Sequence, residues 1–302
     1  MKTLNQARRQ DIIFCILVLL YPIVQFAVFY IYVNISSIAL AFQKYDHGNL
    51  IFAGFENFAK VFNDFTNKAE LAYSLPNSLI SYFSGLLIAT PLAIIFSFFI
   101  YKKCAGYKFF RIILFMPSII STLILVLIYK YLVVEVIGTL IPMHNPITGE
   151  LTNLLDNSST AFGTILVFTL LMGFGASTLM YSSTMGGINE SIVESAQLDG
   201  ISFMGELWHI TIPMIYPTIT TFIVAGIAGI FTNQMEIFSF KDAFADAKLY
   251  TFGYYIYRNT QISKTGDVYP ELSALGLILS AVAIPLTLFI KKGMEKFGPS
   301  VE

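Results

Sequence analysis

Long apolar runs alternate along the chain with short polar intervals. Six runs reach the roughly 20 residues that a helix needs to cross a bilayer: Ile12 to Val33, Leu79 to Tyr101, Ile112 to Val134, Phe162 to Ser182, Met214 to Phe231 and Ala274 to Ile290. In hydrocarbon every backbone group must find an internal partner, so these runs predict helices. The expected fold class is all-α integral membrane, one transmembrane domain over residues 1–302 with six crossing helices. The first run could be taken for a signal peptide. Tyr21, Phe26, Tyr30 and Tyr32 stand where a cleavage site needs small residues, so a retained helix is expected.

Composition narrows the picture. Only 12% of the 302 residues are charged and 56% are hydrophobic, too few charges to cover a soluble globule of this size. The 28 Phe and 17 Tyr exclude disorder, and a net charge of −1 suggests no nucleic-acid partner. Cys15 and Cys104 read as inert thiols, and His47, His144 and His209 lack second ligands at metal spacing, so no metal site is expected.

The basic residues orient the spans. Lys2, Arg8 and Arg9 precede the first run, Lys102, Lys103, Lys108 and Arg111 fill the short second interval, and Lys291, Lys292 and Lys296 follow the last run. With six spans these segments share one side, which the positive-inside rule makes the cytoplasm, with both termini.

One inner interval departs from that rule. Residues 185–213 contain no Lys or Arg but hold Glu190, Glu194, Asp199 and Glu206. Asn189 suits an N-cap, and Ile192, Val193, Ala196 and Leu198 suggest the apolar stripe of a short helix. Gly200 stands at the stop, and a second helix is expected from Ser202, with Phe203, Leu207, Trp208 and Ile210 at helical spacing. Pro213 marks the start of the fifth span. A helix pair lying on lipid would carry bases on its polar face. An acidic pair suits a groove on a protein of complementary charge.

The segment Glu194-Ser-Ala-Gln-Leu-Asp-Gly200, followed after nine residues by Ile210-Thr-Ile-Pro213, resembles the EAA motif of inner-membrane permease subunits of ABC importers. Ser195 and Ile212 are the departures, replacing the usual alanine and leucine. Tyr107 to Pro117 and Asn233 to Phe238 resemble the matching stretches of carbohydrate-type permeases, and the similarity covers roughly residues 75 to 292. It is closest to the smaller of the two permease types that pair in carbohydrate importers.

The resemblance implies a type I importer permease fold in the bacterial cytoplasmic membrane. It implies roles in ATPase coupling for Glu194, Ala196, Asp199, Gly200 and Pro213. Asp199 has two readings, partner contact or capping of the second helix. The implied partners are a second, homologous permease subunit, ATP-binding ATPase subunits, an extracytoplasmic solute-binding protein or lipoprotein, a sugar substrate and membrane lipid. No Gly-Lys-Ser or Gly-Lys-Thr occurs, so ATP and Mg would be bound by the partner ATPase, with no cofactor and no catalysis on this chain.

A translocation path needs polar groups facing the interior of the bundle. Thr232, Asn233, Gln234 and Glu236 at the end of the fifth run are the candidates, with Asn233, Gln234 and Glu236 as the substrate-path residues. Phe231, Phe238 and Phe240 are placed to stack on sugar faces; the alternative is an outer interface that meets water. Gly173, Gly175, Ser177, Thr178 and Tyr181 in the fourth run, and Ala225 with Gly229 in the fifth, read as packing contacts. The aromatics between Ile35 and Ser74 either face the solute-binding protein or pack as a cap, the second being favoured.

Three rivals compete. A permease for glycerol phosphate, a peptide or a lipid precursor is the nearest. A secondary transporter would show an internal repeat, and a membrane enzyme a convergent His/Asp/Glu set; the sequence offers neither.

Overall fold

The computed structural model describes residues 2–46, 48–140, 143–144 and 151–299. The side chains of 2–11, 143, 144 and 151 lie outside that description, so Lys2, Arg8, Arg9, His47 and the His144 ring fall beyond it. The chain divides into two compact units, Met1–Asn63 with Ser263–Leu279, and Asp64–Ile262 with Ser280–Glu302.

In the first unit, α1 (Ile12–Ala41) is the apolar part of a helix that begins at Lys2. It exceeds the expected run by just over two turns and widens to π geometry over Ala27–Tyr32. A hairpin of β1 (Gln43–Asp46) and β2 (Asn49–Phe52) follows, pairing Gln43 with Phe52 and Asp46 with Asn49. The next helix, α2 (Glu56–Asn67), is amphipathic. Asn57 is buried on it and donates to the carbonyls of Ala41 (2.8 Å) and Gln43 (2.7 Å), closing the end of α1. Phe42, Phe55 and Phe58 pack ring against ring, although Phe55, like Phe52 and Phe62, stays exposed.

The second unit begins its long elements with α3 (Ala69–Tyr101), which starts well before the expected run. It widens over Gly85–Ala89 directly ahead of Pro91, whose missing N–H interrupts an α ladder. The third apolar run is two helices, α4 (Tyr107–Ile119) and α5 (Thr122–Leu140). Ile120 and Ser121 are extended between them. The Ser118 hydroxyl donates back to the Phe115 carbonyl (2.7 Å), a local bond that competes with the helix ladder near its end. Strands β3 (Met143–His144) and β4 (Leu151–Thr152) make a two-residue ladder.

The chain continues through α6 (Ala161–Met185), α7 (Glu190–Leu198) and α8 (Phe203–Ala228). Two short helices, α9 (Ile237–Lys241) and α10 (Phe252–Ile262), precede α11 (Tyr269–Phe297). Among the described residues, six helices are long and apolar enough to cross a membrane: α1, α3, α5, α6, α8 and α11. Helices α4 and α6 meet backbone to backbone at Gly175, where a Cβ would sit 1.8 Å from the Leu114 oxygen. The core of this unit joins Phe98 of α3, Tyr181 and Met185 of α6, Val193 of α7 and Leu207 and Ile215 of α8.

Candidate functional site

Two places concentrate polar chemistry in the second unit. The first is the segment between α6 and α8. Asn189 caps α7, its Oδ1 accepting from the Ser191 N–H at 3.1 Å. At the other end the Ile201 N–H donates to the Ala196 carbonyl and the Gly200 N–H to the Gln197 carbonyl, both at 3.1 Å. This reciprocal pair is a Schellman stop, and it demands the φ of +80° that Gly200 adopts. Gly200 is thus the turn that its place in the sequence predicts.

The next helix is capped by Ser202, whose Oγ accepts from the Gly205 N–H at 3.1 Å. Asp199 closes α7 instead and its side chain faces out, so the capping reading gives way to an exposed carboxylate. The helix that begins at Phe203 does not stop before Pro213. It runs on to Ala228, with a π turn over Leu207–Thr211 just ahead of the proline. Pro213 therefore lies inside one continuous helix.

The exposed surface of the segment carries Glu190, Glu194 and Asp199, with Leu198 89% and Trp208 62% exposed between them. Leu198 belongs to the expected apolar stripe, yet it points outward, and Val193 alone of that stripe is buried. Ala196 is half-buried. The fourth acid behaves differently. Glu206 is only 2% exposed and forms an ion pair with Lys102 at the end of α3, while Gln197 Nε2 donates to its other oxygen at 3.4 Å. The Lys102 ammonium also lies near the rings of Phe98 (5.8 Å) and Tyr101 (5.5 Å). Phe203 packs its ring on Phe98 at 4.8 Å. The segment is therefore fixed to α3 and α6 through its buried face while presenting acids and apolar tips outward.

The second place is an open-sided cavity of about 500 Å³ between α3, α6 and α8, within the usual size of small-ligand sites. Ser78, Ser81 and Tyr82 face it from α3, Thr169, Ser177 and Tyr181 from α6. None of the residues lining it is charged. The Tyr82 ring lies over Gly226, where a Cβ would approach it to 2.8 Å, and its hydroxyl donates to the Ile223 carbonyl at 3.3 Å.

Thr232 and Asn233 close the cavity beyond the end of α8. The Asn233 Oδ1 accepts from the Met235 N–H at 2.8 Å, and the Thr251 hydroxyl donates to the Asn233 carbonyl at 2.9 Å. Met235 and Glu236 both have left-handed backbones (φ 53° and 58°), a costly conformation for residues with side chains. Gly253 secures the turn, because a Cβ there would lie 2.4 Å from the Thr232 oxygen. Of the three substrate-path candidates, Asn233 lines the cavity while Gln234 and Glu236 do not. Glu236 accepts from the Ser239 hydroxyl at 2.9 Å. The Gln234 Oε1 is buried with no hydrogen-bond partner among the described residues.

The small residues of the fourth run divide between two faces. Gly175 meets α4, and Gly173, Ser177 and Tyr181 face the cavity. The α3 wall has a signal that sequence reasoning passed over: Ser78, Ser81, Tyr82 and Gly85 recur at helical spacing inside an apolar run.

Comparison with known proteins places this geometry. The solved structure of a bacterial ABC transporter involved in the import of the acidic polysaccharide alginate contains a chain that superposes with a TM-score of 0.77. It covers 98% of this chain and 99% of its own, at 20% identity. The fold is that of an ABC importer permease subunit. Relatives in sequence agree. The arabinooligosaccharides transport system permease protein AraP of Bacillus subtilis is 23% identical, covering 89% of this chain and 85% of its own. The polygalacturonan/rhamnogalacturonan permease protein YteP of the same organism is 25% identical, covering 88% and 83%. No protein-family model matches. With six crossing helices and permease homologues, the chain is a multi-pass protein of the bacterial inner membrane.

Proposed function

We propose that this chain is the membrane-spanning subunit of an ATP-driven sugar or oligosaccharide importer, forming half of the translocation path. The observation that carries the reading is the outward face of α7 and its flanks, anchored from behind to the helices that line the cavity. Three exposed acids around Leu198 and Trp208 suit a basic-rimmed groove with an apolar floor. Glu194, Ala196, Asp199 and Gly200 form the docking face, and Pro213 lies on the helix that carries its movement into the membrane.

In this reading the docked partner is an ATPase that binds ATP and Mg, and this chain contributes no catalytic group. A second permease subunit completes the path, and a solute-binding protein or lipoprotein delivers substrate on the outer side. Residues 1–302 act as one transmembrane domain with both termini and the α7 segment in the cytoplasm, and membrane lipid surrounds the crossing helices. Asn233 is the substrate-path residue that its position on the cavity wall supports best, and Gln234 and Glu236 hold the turn that presents it.

Co-purification from membranes tests the docking face. Wild-type chain is expected to bring down an ATPase, and Glu194→Lys or Gly200→Pro to lose it along with ATP-dependent uptake. Full association and uptake in both variants would sink the assignment.

A further inference from the structure

The cavity wall has a hydrogen-bond polarity as well as a lack of charge. Four of its hydroxyls donate their protons to main-chain carbonyls. Thr90 donates to Gly85 (3.1 Å), Thr169 to Ile165 (3.0 Å), Thr232 to Gly229 (3.1 Å) and Tyr82 to Ile223 (3.3 Å). A hydroxyl that has donated keeps its oxygen lone pairs, so these groups meet a ligand as acceptors. An ionised carboxylate or phosphate is also acceptor-only, and it finds no partner in such groups. A sugar hydroxyl can donate to them. The donors that remain on the wall are all neutral: the Asn233 amide and the hydroxyls of Ser78, Ser81, Ser177 and Tyr181.

None of the cations in this part of the chain lines the cavity, and three of them are engaged elsewhere. Lys241 pairs with Asp156 at 2.6 Å, Lys130 Nζ donates to the Ser239 carbonyl at 3.5 Å, and Arg258 Nε donates to the Ala243 carbonyl at 2.7 Å. An anion against this wall would therefore give up part of its hydration without gaining a counter-charge from it.

We propose that this wall selects uncharged polyhydroxylated solutes and discriminates against uronates and sugar phosphates. The inference rests on the importer reading and sharpens it, since it removes phosphorylated solutes from the candidates. It also separates this chain from the alginate importer whose fold it shares, because that transporter carries an acidic polysaccharide.

The test uses the complete importer with its binding protein in proteoliposomes. Maltotriose, galactotriose and arabinotriose are compared with trigalacturonate. At least one neutral trisaccharide is expected to enter in an ATP-dependent way, with trigalacturonate at least about tenfold slower. Trigalacturonate entering as fast as the best neutral sugar overturns the inference and leaves the importer reading intact. ATP-dependent uptake of none of the four removes the saccharide reading and this inference together.

Two variants isolate this chain from the binding protein, which stays unchanged. Thr169→Lys is expected to shift the uronate-to-neutral uptake ratio upward by about tenfold. Thr169→Val keeps the shape, removes the oxygen and should lower neutral uptake severalfold while co-purification with the ATPase persists. An unchanged ratio in the first and unchanged neutral uptake in the second overturn the role of the wall.

Discussion

At its first turn α8 carries Glu206, a buried acid paired with Lys102. Past its last turn the chain carries Thr232 to Glu236, where two successive left-handed residues are held by neutral hydrogen bonds and a glycine contact. One end of the helix is fixed by charge, the other by shape. On the proposed reading, the difference follows from what each end would meet, a partner protein at one and a solute at the other. A docking segment needs a firm hold on the helices behind it, and a buried ion pair specifies one arrangement where apolar contacts would permit sliding. A cavity mouth for a solute needs no ion pair, so its geometry is secured by side-chain hydrogen bonds to the backbone and a close glycine contact.

The largest effect should come from breaking the charged end. Glu206→Ala leaves Lys102 with 17% of its side chain exposed and no partner, and is expected to cost about 3 kcal/mol. Thermal unfolding of the purified chain in detergent reads this. A loss below about 1 kcal/mol would mean that the pair is not the clamp. At the shape-held end, Gly253→Ala forces a Cβ against the Thr232 and Asn233 backbones and should cost about 2 kcal/mol. The same variant should slow uptake, because Thr232 and Asn233 line the cavity; normal uptake kinetics would detach the turn from the path.

Replacing Leu198 and Trp208 together with alanine should alter stability by no more than about 0.5 kcal/mol, since both are exposed. ATPase association should weaken about tenfold or more, as for a buried apolar anchor at an interface. Intact affinity would show that the acids alone make the contact.

The smallest effect is the pH response of the exposed pair between Asp156 and Lys241. Burial raises the Asp156 pKa, but hydrogen bonds from Lys241 and Asn153 and the nearby Lys130 charge outweigh it, and the net shift is downward from 3.8. A lowered carboxylate pKa stabilises the fold above the unfolded value and loses that contribution as pH falls through the folded one. Stability should therefore drop slightly below about pH 4, by less than about 1 kcal/mol for so exposed a pair. Asp156→Asn should flatten that drop; an identical acid profile in the variant would show that the pair contributes nothing.

The same contrast explains what could be read from the chain alone. The α7 segment was legible because its information is local: a cap at Asn189, a glycine stop and a run of acids where bases belong. The cavity was less so. Its α3 wall is set by which side of an apolar helix faces two others, and Ser78, Ser81 and Tyr82 declare that only once the helices are packed. Leu198 has helical spacing but sits in the final turn, where its outward direction depends on the Schellman stop beside it. Glu206 looked like any helix-start acid, because its partner Lys102 lies on another helix. The break at Ile120–Ser121 and the π turns before Pro91 and Pro213 interrupt runs that hydropathy sees as uniform.

The continuity of α8 through Pro213 has a mechanical consequence. Its 26 residues, at 1.5 Å each, make a rod of about 39 Å. Gly226, which faces the cavity, stands 23 residues from Phe203, about 34 Å along that rod. If the rod tilts about its docking end, each degree sweeps the cavity wall sideways by about 0.6 Å. A rocking of five degrees, imposed by a partner gripping the outward face of α7, would then move Tyr82's seat on Gly226 by about 3 Å. That is the width of a hydroxyl contact, enough to open or close a passage for a sugar without unfolding any turn.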